Sequence, residues 1–269
     1  MSHGHLSVLP HRPPLAAKLK CVMDSARARK KKIPGLRRRA PPGENLLLAK
    51  LPTSERLLIV ARCEPVELAI HDVLCKQGKP MNHVYFPITS FISQIFTTRG
   101  RYGLEVGLVG AEGMLGSSLM FGVNVAPARA IVYGTGSALR LGAAQFSREL
   151  KRSPALTQTV NRYLYVVASQ LMQTAACGRF HFVPARLARW LLMTRDRADS
   201  DELTLTHEVA AYILGVRREG VTEAACLFQA RKLIRYSRGV VTILNAPGLE
   251  GTTCECYAAM RQVYTETMN

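Results

Sequence analysis

The apolar pattern of this chain changes its period once, near Gly142, and that change limits it to a β-rich unit followed by a helical one. Before it, short apolar runs recur at Glu67–Ile70, Val73–Cys75, Val84–Phe86, Phe91–Phe96, Leu104–Val109, Ala130–Tyr133 and Ala138–Leu141, separated by glycines such as Gly78, Gly110 and Gly134. Many short strands at regular spacing predict an all-β roll or barrel. Two short helices, Asn45–Leu51 and Glu55–Val60, split by Pro52, precede it. Beyond Gly142, Leu156, Val160, Tyr163, Val167, Gln170 and Thr174 step by four and three, the spacing of a heptad seam. Leu164, Ala168 and Leu171 form a second apolar face. One face can pack on the roll while the seam meets a partner; the alternative is a wide-striped helix buried within one chain. From Pro154 to Cys177 such a helix would be about 35 Å long. That length favours a dimer seam, with Gly178 expected to end the helix.

Residues 204–244 are the most informative. Thr206 is a plausible N-cap for a helix through Leu214, Gly215 ends it, and a second helix begins at Val216–Glu219. Ala211 lies four residues before Gly215 and Val221 six after it. This spacing suits a helix-turn-helix, in which the small residue lets two helices cross and glycine supplies the turn. Val221, Ala224, Ala225 and Phe228 repeat at i, i+3, i+4 and i+7 and are expected to face inward. Arg217, Arg218, Glu219, Thr222 and Glu223 are then left outward, at the end of a recognition helix that meets base edges. Leu233–Tyr236, Ser237-Arg238-Gly239 and Val240–Leu244 read as strand, tight turn and strand, a wing carrying Lys232, Arg235 and Arg238. A small α+β subdomain without DNA contact is the bland alternative.

Charge points the same way. The 36 Lys and Arg against 19 Asp and Glu give a net charge of +17, and 11 of those basic residues fall in 1–45. Both parts of the chain are basic, so a polyanion is the expected partner. Residues 1–45 read as a basic disordered arm that grips phosphates, or else as a solvated tail or a misplaced start. No apolar stretch is long enough for a transmembrane helix, and no secretory signal is visible. The seven cysteines, Cys21, Cys63, Cys75, Cys177, Cys226, Cys254 and Cys256, are scattered and are expected to be reduced thiols. Cys254 and Cys256 stand too close for an ordinary zinc knuckle and lack a second pair nearby in sequence. The expectation is therefore no metal and no cofactor. His207-Glu208 begins like HExxH, but Ala211 stands where the second histidine would be. With no nucleophile elbow or phosphate-binding loop either, the chain is not expected to be an enzyme.

The run Leu205–Thr222 together with Leu233–Gly239, behind a β-roll and a long helix, resembles the CRP/FNR family of bacterial transcription regulators. The resemblance covers about 46–257 and extends to Val84–Pro87, Glu105–Gly116, Ala188–Met193 and Cys254–Tyr257. It implies an α+β chain with a basic arm (1–45), a cyclic-nucleotide-binding-like β-roll (46–150) and a dimerisation helix (151–178). A winged helix-turn-helix domain (179–250) and a C-terminal tail (251–269) complete it. It further implies a cytoplasmic, nucleoid-associated homodimer on double-stranded DNA, working with RNA polymerase and not with a membrane. Thr206, His207, Arg217, Arg218, Glu219, Thr222, Glu223 and Arg238 are the implied DNA contacts. Members that bind cyclic nucleotides use a Gly-Glu-Leu turn and an Arg-Ser pair. Here Ser117 stands where that Glu is expected, and Ala128-Arg129 replaces the pair, displacing the arginine by one place. A one-residue shift in a strand moves the side chain to the other face. A small-molecule effector, if there is one, is therefore not expected to be a cyclic nucleotide. Two other readings stay open: a regulatory module controlling a partner enzyme, and an enzyme on the same scaffold.

Overall fold

Antiparallel pairing carries the first half of the chain in the computed structural model, which describes residues 43–98 and 103–269. Seven strands, β1 (Glu64–Leu68), β2 (Val73–Cys75), β3 (His83–Pro87), β4 (Phe91–Thr97), β5 (Gly103–Val109), β6 (Arg129–Gly134) and β7 (Gly136–Gly142), form two sheets. Their orders are β1-β7-β3 and β2-β6-β4-β5. Alternate residues of both point inward, and Leu68, Cys75, Tyr85, Ile92, Val109, Val132 and Ala138 build one apolar cluster. The sheets stay open, so the architecture is a roll and not a closed barrel. The roll begins at the end of the expected arm. Buried Asn45 donates from Nδ2 to the carbonyls of Pro87 and Gly113, both at 2.9 Å, and its Oδ1 accepts from the N–H groups of Leu47 and Leu48. A short 3-10 turn (Leu48–Lys50) and α1 (Thr53–Val60) follow, separated by Pro52 as the sequence predicts. Residues 1–42 of the arm lie outside the described residues.

Helix α2 (Ala143–Arg152) leads into α3 (Pro154–Phe180), 27 residues or about 40 Å. Ser153 caps α3 by accepting from the N–H of Leu156, and Pro154 occupies the first turn, where a missing N–H costs nothing. Gly178 does not end this helix. It continues to Phe180, because a single glycine costs only about 1 kcal/mol inside a helix held by tertiary packing.

The larger correction concerns the face of α3 that is free. Leu156, Val160 and Tyr163, the first half of the expected seam, are buried within the chain against Leu48, Phe86, Phe146 and Met114. Val167 packs on the same cluster. Gln170 lines the groove between α3 and the last helix, and Thr174 is half-buried. The exposed line is Tyr165, Ala168, Leu171, Met172 and Ala175, with Tyr165 61% and Met172 66% accessible. Of the second apolar face, Leu164 also packs on the cluster, and Ala168 and Leu171 are exposed. Spacing alone could not assign the two faces, because both repeat at helical intervals.

The C-terminal unit is built on α4 (Val183–Ala198), β8 (Glu202–Thr204), α5 (His207–Leu214), α6 (Arg218–Ala230), β9 (Ile234–Ser237), β10 (Val240–Ile243) and α7 (Ala246–Glu250). Its own core gathers Leu187, Trp190, Leu191, Ile213, Val221, Phe228, Ile234 and Val241. Residues 251–269 are not a tail. Tyr257, Met260, Tyr264 and Met268 repeat at helical spacing, and α8 (Cys256–Met268) packs along α3, with Tyr264 and Met268 joining the roll cluster and Tyr257 the core of the C-terminal unit. Among the described residues no helix is long and apolar enough to cross a membrane.

Candidate nucleic-acid interface

Two helices and a hairpin compose the site, and local sequence accounts for each. Thr206 is the N-cap of α5, its hydroxyl accepting from the N–H of Val209 at 3.2 Å. Gly215 closes α5 with φ 61°, and the N–H of Val216 bonds back to the carbonyl of Ala211 at 3.0 Å. That six-to-one bond across a left-handed residue is a Schellman closure, which favours glycine at this point. Buried Arg186 on α4 donates to the Leu214 carbonyl, fastening the same helix end from below.

Helix α6 buries Val221, Ala224, Ala225 and Phe228, each no more than 3% accessible, as the periodicity predicts. Arg217, Arg218, Glu219 and Glu223 are exposed. Arg217 occupies the N-cap position without a side-chain cap bond, so the first N–H groups of α6 are open to an anion. The wing is a third strand longer than expected: β8 joins β10 and β9 in the order β8-β10-β9. The acidic run Asp199–Glu202 concealed β8 in the sequence. Ser237 pairs with Val240, leaving a two-residue turn whose residues Arg238 and Gly239 have φ 49° and 81°. Two positive φ values make a type I′ turn, whose twist matches the hairpin. The strained, exposed Arg238 sits at the wing tip, as the sequence predicts.

His207 and Thr222 are placed differently from the other expected contacts. His207 Nδ1 lies 3.0 Å from Thr222 Oγ1, and its ring stacks on Tyr236 at 4.4 Å. The Thr222 hydroxyl donates to the Arg218 carbonyl at 3.1 Å. Its one proton is thereby committed, so His207 Nδ1 is the donor to Thr222, and Nε2 is left enclosed without a partner. Burial first and then the nearby Arg218 charge hold the His207 pKa below its ordinary value. These two residues tie α5, α6 and the wing together, and Arg218 and Glu219 remain the outward pair.

The winged unit also touches the roll. Trp190 Nε1 donates to Glu105 on β5 at 2.8 Å, and Arg197 pairs with Glu112 at 2.7 Å in a largely buried contact. Gly103 lies so close to Tyr212 of α5 that a Cβ there would overlap its ring. On the roll itself, Ala128 is buried and Arg129 is exposed, so the displaced arginine does face outward. Ser117 opens a short 3-10 turn after Gly116. The expectation of no metal meets a new juxtaposition. Cys254 and Cys256, without a second pair in sequence, stand beside Cys177 and His181 in space.

Residues 185–252 match the family model of the Crp-like helix-turn-helix domain. The chain therefore carries a Crp-like helix-turn-helix domain over these residues. Several solved structures share the fold of the chain at low sequence identity. A CRP/FNR-family protein from Eubacterium rectale is 20% identical, with 78% of this chain and 99% of that one covered, at a TM-score of 0.61. The c-di-GMP-responsive global regulator Clp from Xanthomonas campestris is 15% identical, with 71% and 99% covered, at 0.60. FixK2 from Bradyrhizobium japonicum is 11% identical, with 71% and 98% covered, at 0.61. No curated protein matches the chain by sequence. The CRP/FNR arrangement of roll, long helix and winged domain is therefore the fold of this chain.

Proposed function

We propose that the chain is a dimeric, sequence-specific DNA-binding transcription regulator that reads a near-palindromic operator with the start of α6. The observation that carries this reading is the outward group Arg217, Arg218 and Glu219 at an open helix N-terminus, on a helix pinned by Phe228 and flanked by the Arg238 wing. Arginine pairs bidentately with guanine O6 and N7, and glutamate accepts from cytosine N4, so the half-site contains a G·C pair. Thr206 at the start of α5, Arg217 and the wing serve phosphates, while Glu223 limits the bases accepted farther along the groove. Dimerisation uses the exposed stripe Tyr165, Ala168, Leu171, Met172 and Ala175, which sets two recognition helices about 34 Å apart. The protein acts in the cytoplasm at the nucleoid, with RNA polymerase as its further partner.

Cyclic nucleotides are not its effectors. Arg129 faces outward and Ser117 replaces the ribose-binding carboxylate, so a buried phosphate would lack a bidentate partner. Capture of genomic fragments by the native protein at moderate salt tests the reading. Fragments sharing one inverted motif are expected; retention without sequence preference would refute it.

A further inference from the structure

Three cysteines and a histidine that DNA reading does not use meet where the long helix joins the winged domain. Cys177 and His181 lie four residues apart at the end of α3, on one side of the helix. Cys254 and Cys256 flank Glu255 at the start of α8. The ligand atoms of all four lie within 4.8 Å of one another. Cys177 Sγ is 3.6 Å from Cys254 Sγ, and Cys256 Sγ is 3.4 Å from His181 Nδ1. A tetrahedral zinc ion, with bonds of about 2.3 Å to sulfur and about 2.0 Å to nitrogen, sets an S···S edge of about 3.8 Å and an S···N edge of about 3.5 Å. Both observed edges fall close to those values.

The surroundings favour a metal over a thiol pair. His181 Nε2 lies 3.1 Å from Glu255 Oε1, the carboxylate contact that fixes a histidine tautomer and turns its other nitrogen toward a metal. Gln173 Nε2 donates to Cys256 Sγ at 3.0 Å, which suits a thiolate. The Arg186 and Arg189 guanidinium groups act electrostatically on Cys177, offsetting the excess negative charge that three thiolates leave on one divalent ion. A Cys177–Cys254 disulfide would use two of the four groups and leave the Cys256–His181–Glu255 chain without a role.

We propose that Cys177, His181, Cys254 and Cys256 form a closed zinc site that fastens the end of α3 to the segment following the winged domain. Each thiol releases its proton to solvent as it ligates, and four protein ligands leave no open position, so the ion is structural. Because the site joins the long helix to the segment flanking the DNA-reading unit, zinc loading fixes how that unit is held.

The test is metal analysis of the full-length chain, purified from zinc-supplemented cells without chelator. About one zinc ion per chain is expected. Cobalt in its place should show the strong visible and thiolate charge-transfer absorption of a tetrahedral sulfur site, lost in Cys256→Ser. Glu255→Gln keeps all four ligands and should weaken zinc retention about 10–100-fold. Cys226→Ser, an exposed thiol elsewhere, should change nothing. A wild-type chain without zinc and without the cobalt spectrum would overturn the proposal. So would a Cys177–Cys254 disulfide recovered by peptide mapping of the alkylated, unreduced protein. Both decisive measurements use the wild type, so a ligand variant that fails to fold does not weaken them.

Discussion

Arg238 and His207 differ in what they do although both lie on the basic face of the winged unit. Arg238 is exposed at a two-residue turn at the wing tip, so it is expected to meet phosphate. Arg238→Ala should weaken binding to all sequences alike and reduce the salt dependence of log K by about one unit, measured by anisotropy across salt. His207 acts through structure. Its pKa is lowered in the fold by burial and by Arg218, so at pH values below the unfolded value of about 6.5 the unfolded chain takes up a proton that the folded chain refuses. Its stabilising contribution is complete above that pH and is lost as pH falls through the folded value. Denaturant unfolding as a function of pH should show this loss, and His207→Gln should flatten it; an unchanged profile would remove His207 from the clamp. The outward Arg-Glu pair was legible in the sequence because Val221, Ala224, Ala225 and Phe228 left only one face free. The engagement of His207 was not, since it depends on Tyr236, which lies 29 residues along the chain on another element.

At the scale of elements, α3 shows where helical periodicity stops informing. Its length and amphipathic pattern were readable, but two apolar faces competed and the sequence could not rank them. The roll and α8 decide the matter by covering Leu156, Val160 and Tyr163. Placing a charge in the exposed stripe therefore separates the two assignments. Met172→Asp should give a folded monomer at micromolar concentration by sedimentation, because like charges would face each other across a dry seam. Val160→Asp buries a charge inside one chain and should unfold it instead. If Met172→Asp remains dimeric, the stripe is not the seam. Helix α8 escaped notice although Tyr257, Met260, Tyr264 and Met268 repeat at helical spacing in the sequence.

Across the whole molecule, the roll and the winged unit meet through two carboxylates that local patterns do not reveal. Glu105 accepts from Ser93 on β4 at 2.5 Å and from Trp190 on α4 at 2.8 Å. Burial, only partly offset by these donors and by Arg197 and Arg189, pushes its pKa up to about 7. From about pH 4.5 to 7 the folded chain keeps a proton that the unfolded chain has lost, so stability from this group falls as pH rises through that window. Glu105→Gln should remove that slope in pH-dependent unfolding, the opposite sign to the His207 effect. The strand pattern, the glycine-closed turn and the wing were readable because each rests on neighbours in sequence. The contacts between units, the long-helix face and the Cys177–Cys256 cluster were not, because each joins residues more than 70 positions apart or depends on what covers a face. The most direct measurement of the central claim is a binding-site selection run side by side on the wild type and Arg218→Ala. The wild type should enrich a near-palindrome whose half-sites are about ten base pairs apart and share a G·C pair. Arg218→Ala should lose preference at that pair alone, with affinity reduced by about 1–3 kcal/mol per half-site. An Arg218→Ala protein that enriches the same motif as the wild type would contradict the assignment of α6 as the reading helix.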